Sequence, residues 1–187
     1  MGIVKTDIKQ KTIKEEISLT GVGLHTGKDV TLTFKPSASN SGFSFKRVDL
    51  EGEPVIEADA NYVTNTQRGT CLEKNGVTIQ TSEHVLAALV GLGIDNAVIE
   101  LNAAEPPIMD GSSKFFVEAI EKAGVVELDA FREEFVITDI VSYVDEETGS
   151  EILVMPSKEY QITTMVDFGT KVLGTQNATL NKISDFK

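Results

Sequence analysis

Residues 78–96, TIQTSEHVLAALVGLGIDN, decide the fold, because they join a polar helix start, an apolar helix and a glycine stop in one segment. Apolar residues recur there at the spacing of one helical face, which predicts a helix over residues 82–92. We expect its inward stripe to consist of Val85, Leu86, Leu89 and Val90. Gly91 and Gly93 end the helix, and residues 96–101, NAVIEL, follow as a buried strand.

The sequence on both sides of this segment predicts more strands than helices. Upstream, extended segments are predicted over residues 12–19, 30–34, 43–48, 54–58, 69–72 and 76–80. Downstream, a second helix is predicted from Ser112 or Ser113 to Gly124, and its inward residues are Phe115, Phe116, Ala119 and Ile120. The charged segment 126–134 is predicted to be a linker. Strands then follow over residues 135–144, 151–155 and 160–168.

The order of elements late in the chain resembles the order at its start, which indicates a weak internal repeat. Both stretches run strand, turn, strand and then reach a Pro-Ser pair, at residues 36–37 and 156–157. We therefore predict a first α+β domain over residues 1–128 and an incomplete second copy over residues 129–187. Helices laid over a mixed or antiparallel sheet give each copy a two-layer sandwich. Because the second copy stops before its helices, we expect one piece of a longer protein, with exposed apolar surface from Glu133 onwards.

Composition and charge exclude several classes of function. Acidic residues outnumber basic ones by 29 to 17, for a formal charge of −12, whereas a nucleic-acid-binding protein needs a basic face. The sequence has no apolar run near the ~20 residues that span a bilayer, and its first residues lack the apolar region of a signal peptide. A single cysteine, Cys71, excludes an internal disulfide and fits a reducing cytoplasm. We expect Cys71 to be a small core residue.

The Glu83–His84 pair lies in the first turn of the predicted helix, with Thr81 or Ser82 as the N-cap. At a helix tip both side chains can face one cavity, although adjacent residues point about 100° apart. A neutral imidazole can bind zinc, and a neighbouring carboxylate can take a proton from water as general base. The alternative is structural, with Glu83 only complementing the helix dipole. Spacing alone favours this alternative, because a catalytic zinc needs three protein ligands and the chain has only one other histidine.

Two further residues are weaker candidates for substrate binding. His25 lies in the turn 20-TGVGLHTG-27, where glycines on both sides let the backbone approach a ligand closely. The alternative for His25 is a turn histidine bonded to nearby backbone. Asp110, in 108-IMDGSSKFF-116, could bind substrate together with Ser112. An Asp-Gly-Ser sequence, however, favours a turn and the capping of the second helix.

Four segments together resemble the N-terminal half of the UDP-3-O-acyl-N-acetylglucosamine deacetylases, the zinc hydrolases of lipid A biosynthesis in Gram-negative bacteria. The segments are 20-TGVGLHTGKDVTLTF-34, 69-GTCL-72, 82-SEHVLAALVGLGIDNAVIEL-101 and 105-EPPIMDGSSKFF-116. The resemblance runs from about Thr12 to Asp167. It implies two similar α+β domains of the ribosomal protein S5 domain 2-like kind, with the active site between them and the second copy truncated here.

The resemblance implies that Glu83 is the general base and His84 a zinc ligand in a cytoplasmic hydrolase. The implied reaction removes acetate from the 2-acetamido nitrogen of UDP-3-O-(3-hydroxyacyl)-N-acetylglucosamine. The family takes its other two zinc ligands from a His-Lys-x-x-Asp motif that is absent here. We therefore expect the missing second-domain portion to supply them, and this chain alone to be inactive.

Some members of the family are fused to a 3-hydroxyacyl-carrier-protein dehydratase, and the sequence does not decide whether this one is. It also leaves the preferred acyl-chain length and the oligomeric state undetermined. A different class of function stays open, a non-catalytic binding or assembly domain. In that case Glu83 caps the helix, and His84 is buried in a hydrogen-bonded role.

Overall fold

Fourteen strands and two α-helices are present within residues 2–186, the part of the chain that the computed structural model describes. The strands are β1 Gly2–Ile13, β2 Ile17–Val22, β3 Asp29–Lys35, β4 Phe43–Arg47, β5 Val55–Glu57, β6 Val63–Asn65, β7 Cys71–Lys74, β8 Val77–Ile79, β9 Ala97–Leu101, β10 Val125–Val136, β11 Val141–Val144, β12 Glu151–Val154, β13 Ile162–Asp167 and β14 Thr175–Leu180. The helices are α1 Glu83–Gly91 and α2 Lys114–Ala123, with short 3₁₀ helices at Ala60–Tyr62 and Ile183–Phe186. Neither α1 nor α2 nor either 3₁₀ helix within this range has the length and apolar character of a membrane-spanning helix. The predicted α+β class, with antiparallel and mixed sheets, is confirmed.

The central sheet has the strand order β2-β3-β9-β4-β5. It is mixed, because β4 runs parallel to β9 while the other neighbouring strands are antiparallel. Strict alternation along β3 buries Val30, Leu32 and Phe34 on one face of the sheet. Polar side chains lie on the other face, where the hydroxyls of Ser18 and Thr33 are 2.8 Å apart. The alternating pattern therefore assigns one face of the sheet to the core.

Both helices contribute to the same core as this sheet. The buried residues of the helices include Val85, Ala88 and Leu89 from α1 and Phe116, Ala119, Ile120 and Ala123 from α2. The rings of Phe34 and Phe116 meet edge to face, with 6.2 Å between centroids and 85° between planes. Val90 and Phe115, which were expected to face inward, are 44% and 37% exposed. Each lies about 100° round its helix from a buried neighbour, so the inward stripe is narrower than predicted.

Residues 125–136 form a strand where the sequence predicts a linker. β10 pairs with β1 in a two-stranded sheet. Leu128, Ala130 and Arg132 are half-buried and alternate with exposed residues. The linker prediction is wrong because a strand can carry many charges on its exposed face, so charge density alone does not indicate a loop.

The chain divides into two units. Residues 8–132, here the core unit, contain the central sheet, both α-helices and the buried apolar cluster. Residues 2–7 and 133–186, here the strand unit, contain the hairpins β11–β12 and β13–β14. Many large apolar side chains of the strand unit are exposed, as predicted for strands without covering helices. The predicted domains, 1–128 and 129–187, have different bounds from these units and remain predictions.

Candidate active site

The start of α1 is held against Thr70 and not by a side-chain cap. Ser82 occupies the N-cap position, but its hydroxyl donates to the Thr70 carbonyl at 3.1 Å and makes no cap hydrogen bond. Its backbone is helical, with φ −77° and ψ −18°, whereas a capping residue is typically extended. Thr81, the other expected cap, donates to Glu105. Ser82, one of the two predicted residues, is therefore the N-cap of α1, but it makes no side-chain cap hydrogen bond.

Glu83 and His84 are both half-buried in the first turn of α1. The Glu83 carboxylate accepts a hydrogen bond from the Thr70 backbone N–H through Oε2 at 2.9 Å. The His84 carbonyl accepts a 2.9 Å hydrogen bond from the Ser113 hydroxyl, which joins α1 to the start of α2. Within residues 2–186 the His84 ring makes no hydrogen bond or ion pair. No hydrogen bond or ion pair within these residues therefore competes with a ligand for the imidazole nitrogens.

Thr81, two residues before Glu83, has a left-handed backbone with φ +52°. For a β-branched residue this conformation is an outlier that costs about 1–3 kcal/mol. The residue is buried, and its hydroxyl donates to Glu105 Oε1 at 3.0 Å. The chain is thus strained at the point where it turns from β8 into α1, and a buried hydrogen bond accompanies the strain.

Glu105 is fully buried and surrounded by hydrogen-bond donors. Besides the Thr81 hydroxyl, Nδ1 of His25 lies 2.8 Å from Oε1. Oε2 accepts from the backbone N–H groups of His25 and Thr26 and from the Thr26 hydroxyl, each at 3.0 Å. Burial raises the pKa of the Glu105 carboxyl, but the hydrogen bonds outweigh burial and hold that pKa below its ordinary value. Glu105 is therefore an ionised, buried carboxylate at neutral pH.

His25 binds a carboxylate that lies 80 residues away in sequence. The alternative of a turn histidine bonded to nearby backbone is wrong, because the turn around His25 folds over Glu105. Gly23 makes this approach possible. A Cβ at position 23 would lie 2.7 Å from Glu105 Oε2 and 2.3 Å from Thr26 Oγ1.

A cavity of about 240 Å³ has His25 and Thr81 in its wall. Its lining consists of His25, Asn65, Gln67, Arg68, Gly69, Cys71, Gln80 and Thr81. Glu83 lies beside this lining, because a Cβ on Gly69 would be 3.5 Å from Glu83 Oε1. Cys71 is half-buried in the lining and so is not the core residue that was predicted. The lining thus contains one arginine, Arg68, and several polar side chains, and it borders the Glu83 carboxylate at Gly69.

Asp110 forms a turn, which was one of its two predicted roles. Its carboxylate accepts hydrogen bonds from the Ser112 backbone N–H at 3.0 Å and the Ser112 hydroxyl at 2.8 Å. These hydrogen bonds lower the pKa of the Asp110 carboxyl below its ordinary value. Asp110 also lines a second cavity of about 400 Å³ that is mainly apolar, with Thr20, Gly21, Val22, Ile108, Met109 and Phe115. It does not line the cavity beside Glu83.

The described residues can supply one zinc ligand, His84, but not a complete zinc site. Among residues 2–186 no group of three or more His, Cys, Asp or Glu side chains could hold a metal ion. A catalytic zinc takes three protein ligands. His84 supplies one unpartnered imidazole, so any complete site needs ligands beyond the described residues.

Glu105 and Thr81 are the residues of this region whose roles the sequence reasoning missed. The sequence predicts Thr81 only as a possible helix cap and indicates no role for Glu105. The two glycines beside His25 were the available signal, because they indicate that something approaches the turn closely. The approaching group proved to be a side chain of the chain itself.

The chain matches the UDP-3-O-acyl N-acetylglycosamine deacetylase family (LpxC) over residues 10–186. It is 45% identical over 180 residues to the bifunctional enzyme LpxC/FabZ of Bacteroides thetaiotaomicron, which covers 96% of this chain and 39% of the relative. It is 42% identical over 172 residues to the UDP-3-O-acyl-N-acetylglucosamine deacetylase of Chromohalobacter salexigens, covering 92% and 56% respectively. The protein of the same name from Coxiella burnetii is 42% identical over 176 residues, covering 93% and 57%. The chain thus spans 39% to 57% of the length of these relatives.

Proposed function

The chain belongs to the UDP-3-O-acyl N-acetylglycosamine deacetylase family, and on this premise we propose that it forms part of a zinc-dependent deacetylase. The proposed reaction hydrolyses the 2-acetamido group of UDP-3-O-(3-hydroxyacyl)-N-acetylglucosamine, the committed step of lipid A biosynthesis. The observation that carries this proposal is the Glu83 carboxylate, anchored by a backbone N–H beside a cavity. The names of the relatives support the substrate class.

Glu83 is the proposed general base. One carboxylate oxygen is fixed by the Thr70 N–H, so the other has a defined direction towards the Gly69 wall. In the proposed reaction Glu83 accepts a proton from the water that attacks the acetamide carbonyl carbon. The C–N bond then breaks as the protonated Glu83 carboxyl gives its proton to the sugar nitrogen, which restores the carboxylate. The free amine of the sugar and acetic acid, which ionises to acetate, leave as products.

His84 is the proposed zinc ligand. Its half-buried imidazole at the first turn of α1 has no partner among residues 2–186, and this supports ligand binding over a hydrogen-bonded structural role. When bound, zinc polarises the substrate carbonyl and lowers the pKa of water to about 7. Because one imidazole cannot hold a catalytic zinc, we propose that the 187-residue polypeptide alone binds zinc weakly and lacks deacetylase activity.

The remaining ligands are proposed to come from a His-Lys-x-x-Asp motif outside this sequence, in a second domain that repeats the first. The limited coverage of the relatives supports such a portion. The greater identity to the bifunctional relatives also supports a fused dehydratase. Reading the gene beyond Lys187 tests both proposals, and a stop codon directly after Lys187 would contradict them. A cytoplasmic location stays a prediction.

A non-catalytic assembly domain is the second candidate function. The observation in its favour is the exposed apolar surface of the strand unit, including Ile140, Tyr143 and Met165 at 69%, 65% and 72%. Such a domain would use the strands for association and would need neither Glu83 nor His84. The two functions are therefore separated by substitutions at α1.

Substitutions Glu83→Ala and His84→Ala in the full-length protein test the proposed roles. Removal of a positioned base costs about 10²–10⁴-fold in rate, so Glu83→Ala should lower kcat by that factor and leave the zinc content unchanged. His84→Ala should lower both kcat and zinc content. Steady-state kinetics and metal analysis measure the two effects. Glu73→Ala, at an exposed position of β7, is the matched control, and wild-type kcat in Glu83→Ala would contradict the proposed base.

A further inference from the structure

The wall of the cavity near Glu83 is built from two distant parts of the chain that meet on one carboxylate. His25 belongs to the turn of residues 20–27, here the glycine turn, and Thr81 precedes α1. Both residues line the cavity. Both also contact Oε1 of Glu105, at 2.8 Å and 3.0 Å. We propose that Glu105 is a positioning residue for the reaction proposed above, acting through Thr81 on the placement of Glu83 and His84. The inference rests on that proposed function.

The burial of Glu105 makes it a fixed point. Its side chain has no exposed surface, and both oxygens accept hydrogen bonds from backbone or hydroxyl donors. A buried carboxylate with this many donors cannot move without leaving several of them unpaired. The Thr81 hydroxyl is therefore bonded to a carboxylate whose own position is fixed by several other hydrogen bonds.

Thr81 connects Glu105 to the start of α1, because it bonds to Glu105 and lies two residues before Glu83. Its left-handed backbone, at φ +52°, is unfavourable for a β-branched residue and persists only where its surroundings enforce it. The hydroxyl bond to Glu105 supplies one constraint. The Ser82 N–H and hydroxyl, which both bind the Thr70 carbonyl, supply another. The first turn of α1 is thus located by Glu105 on one side and Thr70 on the other.

The glycine turn is fitted to the same carboxylate. A Cβ on Gly23 would overlap both Glu105 Oε2 and Thr26 Oγ1. The turn therefore packs so closely on Glu105 that position 23 has no room for a side chain. The bond to His25 Nδ1 also sets the orientation of the imidazole and which of its nitrogens carries the proton. Loss of Glu105 would therefore disturb His25 and α1 together.

A shift of this kind matters because reacting groups must be placed closely. Displacement of a catalytic group by about 1 Å can cost about 10²-fold in rate. Residues that orient a metal ligand by hydrogen bonds, without contacting the metal, typically contribute about 10–100-fold to metal affinity or activity. Glu105 does not line the cavity, so its removal should act on kcat and zinc affinity through the residues that it holds, Thr81 and His25.

The test compares Thr81→Val, Thr81→Ser and Glu105→Gln in the full-length protein. Thr81→Val removes the hydroxyl at nearly constant shape, and Thr81→Ser keeps it. We expect Thr81→Val and Glu105→Gln each to lower kcat by about 10–100-fold and to weaken zinc affinity. Thr81→Ser should retain activity. If Thr81→Val and Thr81→Ser both keep wild-type kcat and zinc affinity, the inference is overturned, even if Glu105→Gln does not fold.

Two further measurements separate positioning from general destabilisation. If Glu105 acts through Thr81, the double variant Thr81→Val/Glu105→Gln should have a kcat no lower than that of the less active single variant. Independent effects on kcat would instead multiply. Nitrogen NMR of the His25 ring should show a change of tautomer population in Glu105→Gln, and an unchanged spectrum would contradict the inference. Asp95→Asn is the matched control, because Asp95 also binds a backbone N–H and an arginine but lies outside the cavity wall.

The failure of this inference is distinguishable from failure of the proposed function. An inactive wild-type full-length protein would contradict the proposed function. The zinc affinities of the Thr81 variants and the His25 spectrum would then still decide the positioning role. An active wild-type protein with unaffected Thr81→Val and Glu105→Gln variants would overturn the positioning role alone.

Discussion

The core unit and the strand unit both contain strands with large apolar residues, but they bury these residues to very different extents. Phe34 and Ile99, in β3 and β9 of the core unit, are fully buried. Ile152 and Met165, in β12 and β13 of the strand unit, are 62% and 72% exposed. The core-unit sheet shares its core with two α-helices, whereas the described part of the strand unit has none. Apolar strands thus form in both units, but burial of their side chains needs a second layer.

The two units also hold carboxylates differently. Glu105 binds donors from parts of the chain that are 24 and 80 residues away. Asp145, between β11 and β12, accepts from Glu147 and Thr148 within its own turn. The pKa of each carboxyl is lowered by its hydrogen bonds, although burial opposes this at Glu105. A lowered pKa therefore does not identify a functional site, and burial among remote donors is the more informative property.

The largest expected effect is the loss of a buried aromatic ring in the core unit. Phe34→Ala should lower the free energy of unfolding by about 3–5 kcal/mol, because it leaves a cavity against Phe116. Phe135→Ala in the strand unit, where the side chain is 63% exposed, should change it by less than about 0.5 kcal/mol. Urea unfolding followed by far-UV circular dichroism measures both. Equal losses would mean that Phe135 is covered in solution.

A smaller effect is expected from adding one methyl group to the glycine turn. Gly23→Ala forces the Glu105 carboxylate and the Thr26 hydroxyl apart, which should cost about 1–3 kcal/mol. Gly2→Ala in the strand unit has open space around the new methyl group and should be neutral within about 0.5 kcal/mol. The same unfolding measurement applies. A neutral Gly23→Ala would show that the turn is not closed on Glu105.

The smallest expected effect is a difference in pH dependence between the two carboxylates. The pKa of Glu105 is lower in the folded protein than its ordinary value of 4.5. The ionised carboxylate therefore stabilises the folded protein above pH 4.5, and this stabilisation is lost as the pH falls through the pKa that Glu105 has in the folded protein. Glu105→Gln should therefore be less stable than wild type at neutral pH, and the difference should shrink on acidification. Asp145→Asn should show the same sign with a smaller amplitude, because its turn is partly exposed. Acid titration of the unfolding free energy measures this, and a constant difference for Glu105→Gln would contradict it.

Much of the core unit could be predicted from local patterns. The segments around Val30, Ile99 and Leu89 were assigned correctly because strand and helix periodicities are properties of a few consecutive residues. The charged face of β10 favours a linker in the sequence, and the predicted strands omit β6, β14 and all but the last two residues of β1. The predicted N-cap position at Ser82 is confirmed, but the hydroxyls of Thr81 and Ser82 bind remote partners that no local pattern specifies.

The sequence by itself determined the α+β class, the position of α1 with Glu83 and His84 in its first turn, and the family resemblance. These depend on periodicity and on contiguous motifs. Only the tertiary structure decided that Glu105 lies between His25 and Thr81. Which donors surround a buried carboxylate depends on how distant segments pack, because a polar side chain withdrawn from water takes whatever hydrogen-bond partners the completed fold brings within reach.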